Sequence, residues 1–214
     1  MSLPENLRSE EYGGRTFFIP KTDKITMAHR FSTVWHIDRA RSYLRGHKRV
    51  IQAGGNLGQW PIYLKRIFDE VHTFEASPLN FRLMCLNTHQ DLNITRYPLA
   101  LGNGPERVQF SEDPDNCEGS HVGEGTAVVN KVALDDIFDD GNPVDMIALD
   151  VEGAEYEALR GAFDILRKQK PVLLIEFREF DRETFDHEDL HRYLSTLGYT
   201  HKATASKDRI YAHD

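Results

Sequence analysis

A glycine-rich turn follows an apolar segment early in the chain. Residues 49–53 read as a strand, and the next five residues are Gly54-Gly55-Asn56-Leu57-Gly58. Glycines at this point let the backbone approach a ligand closely and turn tightly into a helix. Glu75 ends the next predicted strand, 21 residues after Gly54, where a carboxylate can accept hydrogen bonds from both hydroxyls of a ribose. Together, the turn and the acid predict a site for a ligand that contains adenosine.

Three carboxylates follow the ends of two later predicted strands. Asp150 and Glu152 come directly after one strand, and Glu176 lies at the end of the next. Because the carboxyl ends of parallel strands meet at one edge of a sheet, we expect these side chains to border one crevice. Like charges repel a pyrophosphate, so the cluster suits a positively charged sulfonium, a divalent metal ion or a proton-accepting role.

The elements that must position these residues alternate between strands and helices. Short apolar runs predict strands at 49–53, 71–74, 95–99, 108–110, 146–149 and 172–177. Helical spacing predicts helices at 35–45, 152–168 and 186–197, with two more beginning near Pro61 and Pro78. This alternation is typical of a Rossmann-like α/β fold, with a mostly parallel sheet and helices on both faces. Two extended segments near 200–205 and 209–212 predict a closing antiparallel hairpin, whereas the first 34 residues show no regular pattern.

Composition limits the chain to one sizeable domain. It has 214 residues and a formal net charge of −8, a sign that disfavours nucleic acid as the main partner. Residues 1–50 carry a net charge of +5 and residues 51–214 a net charge of −13. We therefore predict one domain at 48–214, with an N-terminal segment and helix at 1–47 packed on it. A basic flap that meets an anionic acceptor is the alternative interpretation of the same asymmetry.

The two cysteines and the apolar runs predict a soluble, cytoplasmic protein. Cys85 and Cys117 cannot form a zinc cluster, and one possible bridge is not a disulfide framework. The N-terminal residues show no signal-peptide core, and no run approaches the ~18 apolar residues of a membrane span. A long acidic segment at 111–125 is either a lid or a surface excursion.

One metal-binding motif fails on its context. His187-Glu188-Asp189-Leu190-His191 matches the zinc signature H-E-x-x-H on a predicted helix. The extended three-histidine motif needs a glycine and a third histidine where Leu194 and Leu197 stand, and no glutamate follows Glu188. We therefore interpret the two histidines as surface groups.

A series of motifs in this sequence resembles a known family. In order, they read QAGGNLG, TFEAS, ALDVEGAEYEALRGA and PVLLIEF, within residues 48–178. This succession is similar to the FkbM-type methyltransferases, which are class I enzymes that use S-adenosylmethionine. The stretch DVEGAE followed by LRGA is the most specific part of the resemblance.

The resemblance implies a role for each cofactor-binding position. The turn that contains Gly54, Gly55, Asn56 and Gly58 would cradle the methionine half of S-adenosylmethionine, and Glu75 would hold the ribose. Ala76 and Ala100 would lie beside the adenine, and Asp150 would face the methionine or the reacting centre. Gln52 stands where the family usually has an aspartate, which removes a partner for the cofactor's ammonium group, although an amide could still accept a hydrogen bond.

The implied reaction is the methylation of a hydroxyl oxygen on a small molecule, a sugar or a secondary metabolite. Asp150, Glu152 and Glu176 are the candidates for the base that removes the hydroxyl proton, or for the ligands of a divalent metal that acidifies it. Two alternatives remain open at this point. An NAD(P)-dependent oxidoreductase would use the same scaffold, and a non-catalytic module would keep only a degenerate cofactor pocket.

Overall fold

The computed structural model describes residues 5–111, 117, 120–177 and 187–214. In chain order, its strands are β1 (Leu7–Tyr12), β2 (Arg15–Pro20), β3 (Arg49–Ala53), β4 (Glu70–Phe74), β5 (Ile94–Tyr97), β6 (Ala100–Leu101), β7 (Glu106–Ser111), β8 (His121–Val122), β9 (Ala127–Val132), β10 (Met146–Leu149), β11 (Val172–Glu176), β12 (Thr200–Ala205) and β13 (Asp208–Ala212). Its helices are α1 (Met27–Phe31), α2 (Trp35–Arg41), α3 (Gln59–Leu64), α4 (Pro78–Thr88), α5 (Glu155–Arg160), α6 (Phe163–Gln169) and α7 (His187–Thr196).

A seven-stranded sheet forms the centre of the molecule, in the order β12-β13-β11-β10-β3-β4-β5. The five strands β11, β10, β3, β4 and β5 are parallel to one another, and β13 pairs antiparallel with both β11 and β12. The predicted α/β fold with a C-terminal antiparallel hairpin is therefore confirmed. In this topology the carboxyl ends of β3, β4, β10 and β11 lie along one edge of the sheet.

The central strands are buried on both faces, and alternate residues belong to different cores. Ile51 and Ile147 pack with α5, α6 and α7 on one face, whereas Val50 and Met146 pack with α2 and α3 on the other. All four side chains are fully buried. Burial of each aliphatic side chain of this size stabilises the fold by about 1.5–3 kcal/mol. The two cores therefore fix the positions of the central strands and of their ends.

The N-terminal segment is ordered where the sequence predicts no regular structure. Strands β1 and β2 form an antiparallel hairpin, whose turn places Gly13 and Gly14 at φ 57° and 75°. Asn87 of α4 accepts a hydrogen bond from the Phe18 N–H (2.8 Å) and donates one to the Phe18 carbonyl (3.2 Å). The prediction was wrong because these tertiary contacts, rather than local periodicity, define the hairpin.

Two other differences concern the second half of the chain. The single helix predicted at 152–168 is two helices, α5 and α6, with Gly161 between them. A Cβ at Gly161 would lie 2.0 Å from the Gly102 carbonyl oxygen, so this close approach requires glycine. A second sheet, in the order β6-β9-β7-β8, follows β5, and its strand β9 was not predicted. Seven of the residues at 111–125 (112–116 and 118–119) lie outside the described residues. The choice between a lid and a surface excursion for this segment therefore stays a prediction.

Three further predictions concern the start of α4, the two histidines at 187 and 191, and membrane-spanning helices. Ser77 accepts a hydrogen bond from the Asn80 N–H at the start of α4, with Pro78 as the first helical residue. His191 is exposed, as predicted for a surface group, whereas His187 is partly buried and its ring contacts Phe177 edge-on. Within the described ranges, no helix combines the length and the apolar character that crossing a bilayer requires.

Candidate active site

A cleft lies at the carboxyl ends of the central parallel strands. It encloses about 260 Å³, and the residues from the strand ends that line it are Gly54, Asn56, Glu75, Asp150, Glu152 and Glu176. A smaller apolar recess of about 50 Å³ adjoins the cleft and shares Gly54, Asp150 and Glu152 with it. Apolar side chains lining the recess are Ala53, Phe74, Ala76, Leu99, Ala100 and Leu101. A ligand that spans both would place a flat apolar group in the recess and a polar or cationic group in the cleft.

Gly54 brings two strand ends into close contact. Its N–H donates to the Phe74 carbonyl (3.0 Å) at the end of β4. Its φ is 82°, and a Cβ built on it would lie 1.9 Å from the carbonyl oxygen of Asp150. Both the backbone conformation and the packing therefore require glycine here.

We expect Gly54→Ala to destabilise the protein more than Gly13→Ala does. Gly13 also has a positive φ, but a Cβ there meets nothing within 4 Å, so its substitution costs only the left-handed strain of roughly 1–2 kcal/mol. At Gly54 the overlap with the Asp150 carbonyl adds to that strain. Urea unfolding of the two variants measures the difference. Equal losses of stability would show that the close approach at Gly54 is unimportant.

Glu75 connects the turn after β3 to the start of α4. Its Oε2 accepts a hydrogen bond from the Asn56 N–H (2.6 Å), and its Oε1 accepts one from the Ser77 N–H (2.8 Å). The side chain is only 6% exposed, yet it lines the cleft. Because each carboxylate oxygen has more than one acceptor site, Glu75 can hold this loop and still accept hydrogen bonds from a ligand.

Three other predicted cofactor-binding residues, Gln52, Gly55 and Gly58, are not among the residues that line the cleft. Gln52 is fully buried, accepts a hydrogen bond from Thr73 Oγ1 (2.5 Å), and donates to the carbonyls of Ala53 and Gly54 (both 2.9 Å). A Cβ on Gly55 would lie 2.4 Å from Met84 Sδ, and one on Gly58 would lie 2.7 Å from Thr88 Cγ2. The amide of Gln52 therefore makes its hydrogen bonds within the protein, and its predicted contact with the cofactor stays a prediction.

A buried glutamate shapes the turn that follows β10. Glu155 Oε1 accepts a hydrogen bond from the Val151 N–H (2.9 Å), and Oε2 accepts one from the Gly153 N–H (3.0 Å). Glu152 and Gly153 adopt φ values of 55° and 93° inside this loop. Glu155 is the first residue of α5, and its two contacts show that it folds the loop between Asp150 and this helix.

The structure brings together the three carboxylates that the sequence places at one crevice. Asp150, Glu152 and Glu176 can each offer one oxygen, with all three oxygens within 4.8 Å of one another. Each is partly buried and lines the cleft. Such concentrated negative charge stabilises a cation, which is either a sulfonium or a metal ion.

Sequence reasoning missed the residues that the N-terminal segment contributes to the cleft. Arg30 Nη1 donates to Asn56 Oδ1 (2.9 Å), and Arg30 Nη2 donates to Asp23 Oδ2 (2.7 Å). The side chains of Arg30 and Asp23 are both 0% exposed. Asp23 Oδ2 also accepts a hydrogen bond from the Cys117 N–H (3.1 Å). No local motif marks these residues. The net positive charge of residues 1–50 was the one feature of the sequence that pointed to a contact between this segment and the acidic remainder of the chain.

A histidine–carboxylate pair was also missed. His36 Nδ1 lies 2.6 Å from Asp208 Oδ2, although the two residues are 172 positions apart in the chain. Both side chains are less than a tenth exposed, and both residues line the cleft. Burial raises the pKa of Asp208, and the hydrogen bond with His36 opposes that shift only in part.

The chain is similar to a known family and to a solved member of it. A family model described as "Methyltransferase FkbM domain" matches residues 53–200. Methyltransferase FkbM from Methylobacillus flagellatus KT is 21% identical, with a TM-score of 0.56 over 80% of this chain and 45% of that chain. This chain thus spans less than half of that protein. No curated protein matches the sequence.

Two further structures share the fold. TYW2 from M. jannaschii, solved in complex with AdoMet, is 14% identical, with a TM-score of 0.53 over 100% of this chain and 90% of that chain. The tRNA (uracil-54, C5)-methyltransferase of Pyrococcus abyssi, solved with S-adenosyl-L-homocysteine, is 13% identical, with a TM-score of 0.51 over 98% of this chain and 44% of that chain. The family match covers more than half of the 214 residues and includes the two turns that border the cleft, after β3 and after β10. The chain therefore belongs to the FkbM methyltransferase family.

Proposed function

We propose that this protein is an S-adenosylmethionine-dependent methyltransferase that methylates a hydroxyl oxygen on a small molecule, such as a sugar or a secondary metabolite. The observation that carries the proposal is the apolar recess beside Glu75, which opens into a cleft lined by Asp150, Glu152 and Glu176. Fold neighbours that were solved with AdoMet and with S-adenosyl-L-homocysteine support the choice of cofactor. The overall charge of −8 favours a small acceptor over nucleic acid.

The residues of the site fit the chemistry of this cofactor part by part. The recess beside Ala76 and Ala100 suits a flat base, and Glu75 suits the two ribose hydroxyls. The cofactor supplies, when bound, an electrophilic methyl group on a positively charged sulfur. The carboxylates of Asp150 and Glu176 complement that positive charge. The chain's main contribution is then to align the acceptor with the methyl group, which is a positioning effect.

Transfer of labelled methyl groups from S-adenosylmethionine to a panel of monosaccharides and their methyl glycosides tests the proposed activity. We expect label in at least one hydroxyl compound, at a rate that depends on the protein concentration. Label confined to an amine or a nucleic acid, in parallel reactions that include both, would contradict the oxygen acceptor.

We expect Asp150→Asn to fold normally and to lower turnover at least tenfold. The substitution preserves the shape of the side chain but removes a negative charge from the cleft, and a tenfold change in rate corresponds to about 1.4 kcal/mol. Asp139→Asn is the matched control because Asp139 is exposed and does not line the cleft. A fully active Asp150→Asn protein would remove this residue from the site.

Chelation tests the second role that the sequence predicts for the carboxylates. If they act through a divalent metal ion, dialysis against EDTA should abolish turnover and Mg²⁺ should restore it. If they act as charges alone, EDTA should leave turnover unchanged. The metal, like the cytoplasmic location, stays a prediction.

A further inference from the structure

The cleft contains a histidine that no strand-end motif supplies. His36 lies on α2, and its partner Asp208 is the first residue of β13. Both residues fall outside the 53–200 segment that matches the family model. The pair is therefore assembled by the fold of this chain, between the N-terminal segment and the closing hairpin.

The pair lies beside the carboxylates of the proposed site. Asp208 is the register partner of Glu176, which ends the neighbouring strand β11. Glu176 can in turn bring an oxygen within 4.8 Å of one from Asp150. His36, Asp208, Glu176 and Asp150 all line the same cleft. The imidazole of His36 therefore borders the same cleft as the carboxylates where the methyl group would be transferred.

The hydrogen bond of the pair suits one tautomer of the imidazole. When Asp208 is ionised, it accepts the proton of His36 Nδ1, which leaves the lone pair on Nε2. Within the described part of the chain, Nε2 has no hydrogen-bond partner. A carboxylate that holds one ring nitrogen in this way both orients the ring and stabilises its protonated form.

We propose that His36 accepts the proton of the acceptor hydroxyl during methyl transfer and that Asp208 positions it, an inference that rests on the proposed function. The acceptor oxygen forms a bond to the methyl carbon as the carbon–sulfur bond breaks. The bonding pair stays on sulfur, and the hydroxyl proton passes to His36 Nε2. Imidazoles as a class titrate near pH 6.5, so they remove protons more effectively near neutral pH than ordinary ionised carboxylates do. The carboxylates of Asp150 and Glu176 would then serve as charges that stabilise the sulfonium.

The protonation of His36 can be measured without knowing the acceptor. Nitrogen-15 NMR of the full chain, free and saturated with S-adenosylhomocysteine at pH 8, distinguishes a protonated from an unprotonated ring nitrogen. His36→Asn identifies the resonances of His36. We expect the proton on Nδ1 and none on Nε2, with this preference lost in Asp208→Ala. A proton on Nε2 in the wild-type protein would overturn the proposal, because a protonated Nε2 cannot accept another proton.

Turnover of whichever monosaccharide or methyl glycoside accepts label provides the second readout. We expect His36→Asn to lower kcat by roughly 10²–10⁴-fold, as for loss of a general base, while the Kd for S-adenosylhomocysteine changes by less than about twofold. His201→Asn is the matched control, since His201 is exposed on β12 of the same hairpin and does not line the cleft. If His36→Asn does not fold, as judged by circular dichroism, His36→Gln replaces it.

The outcomes separate this inference from the function on which it rests. A folded His36 variant that keeps kcat within about threefold of wild type would refute the role of His36 and leave the methyltransferase intact. A wild-type protein that binds no S-adenosylhomocysteine would refute the proposed function itself.

Discussion

Glu75→Ala is expected to weaken the binding of S-adenosylhomocysteine strongly and to lower the free energy of unfolding. The substitution removes the acceptor of two backbone N–H groups, those of Asn56 and Ser77. Each buried donor left without a partner costs about 1–3 kcal/mol. The two ribose hydroxyls lose hydrogen bonds to a charged group, worth about 1.5–3 kcal/mol each, so the Kd should rise at least about a hundredfold. Calorimetry and urea unfolding measure the two effects.

Glu75→Gln separates the structural role of this side chain from its charge. An amide oxygen can still accept from one of the two backbone N–H groups, so we expect most of the stability to return and only part of the affinity. Glu106→Ala is the control for loss of an acid, because Glu106 lies on the exposed face of β7, where it pairs with Lys131. A folded Glu75→Ala protein with unchanged affinity would show that the ribose does not bind here.

Arg30→Met is expected to destabilise the fold by about 3–5 kcal/mol, the range for removing one partner of a buried ion pair. The guanidinium and the Asp23 carboxylate are both 0% exposed, so the substitution leaves a negative charge buried without its cation. It also removes a donor from Asn56 in the cleft. Arg192→Met is the control, since its ion pair with Asp189 is exposed and such pairs contribute about 0–1 kcal/mol. Equal losses in the two variants would contradict this account of Arg30.

The same pair gives the stability a defined pH dependence. Burial alone raises the pKa of Asp23, but Arg30 and hydrogen bonds from Ile25 and Cys117 outweigh burial, so the pKa is lowered overall. A lowered pKa stabilises the folded protein above the unfolded-state pKa of about 3.9, and this stabilisation is lost as the pH falls through the folded-state value. In urea unfolding, the stability difference between wild type and Asp23→Asn should therefore stay constant from pH 7 down to about pH 5 and shrink as the pH falls below about 4. A difference that does not change with pH would contradict this assignment.

The sequence predicts most of the central sheet and much of the site because both depend on local patterns. Apolar runs mark the buried strands β3, β10 and β11, whose residues pack on both faces. Glycine and carboxylate side chains at the strand ends mark the cleft, because parallel strands bring those ends to one edge. Glu75, Asp150 and Glu176 could therefore be placed together from their order in the chain.

The rest of the site depends on contacts between distant parts of the chain. His36 meets Asp208 across 172 residues, and Arg30 meets Asn56 across 26; neither pair has a spacing that a local motif could reveal. Gln52 was expected to face a ligand because its position in the family pattern does. The Thr73 hydroxyl and two backbone carbonyls use its amide, a network that only the packed sheet defines.

Isothermal titration calorimetry of the wild-type protein with S-adenosylhomocysteine, with NAD as the control ligand, tests the central claim most directly. The apolar recess, Glu75 and the acidic cleft together predict binding of S-adenosylhomocysteine with a Kd of about micromolar, near −8 kcal/mol, and no binding of NAD. Binding of NAD alone would identify a dinucleotide site and contradict the methyltransferase. Absence of binding by both ligands would contradict the cofactor site and favour a non-catalytic member of the family.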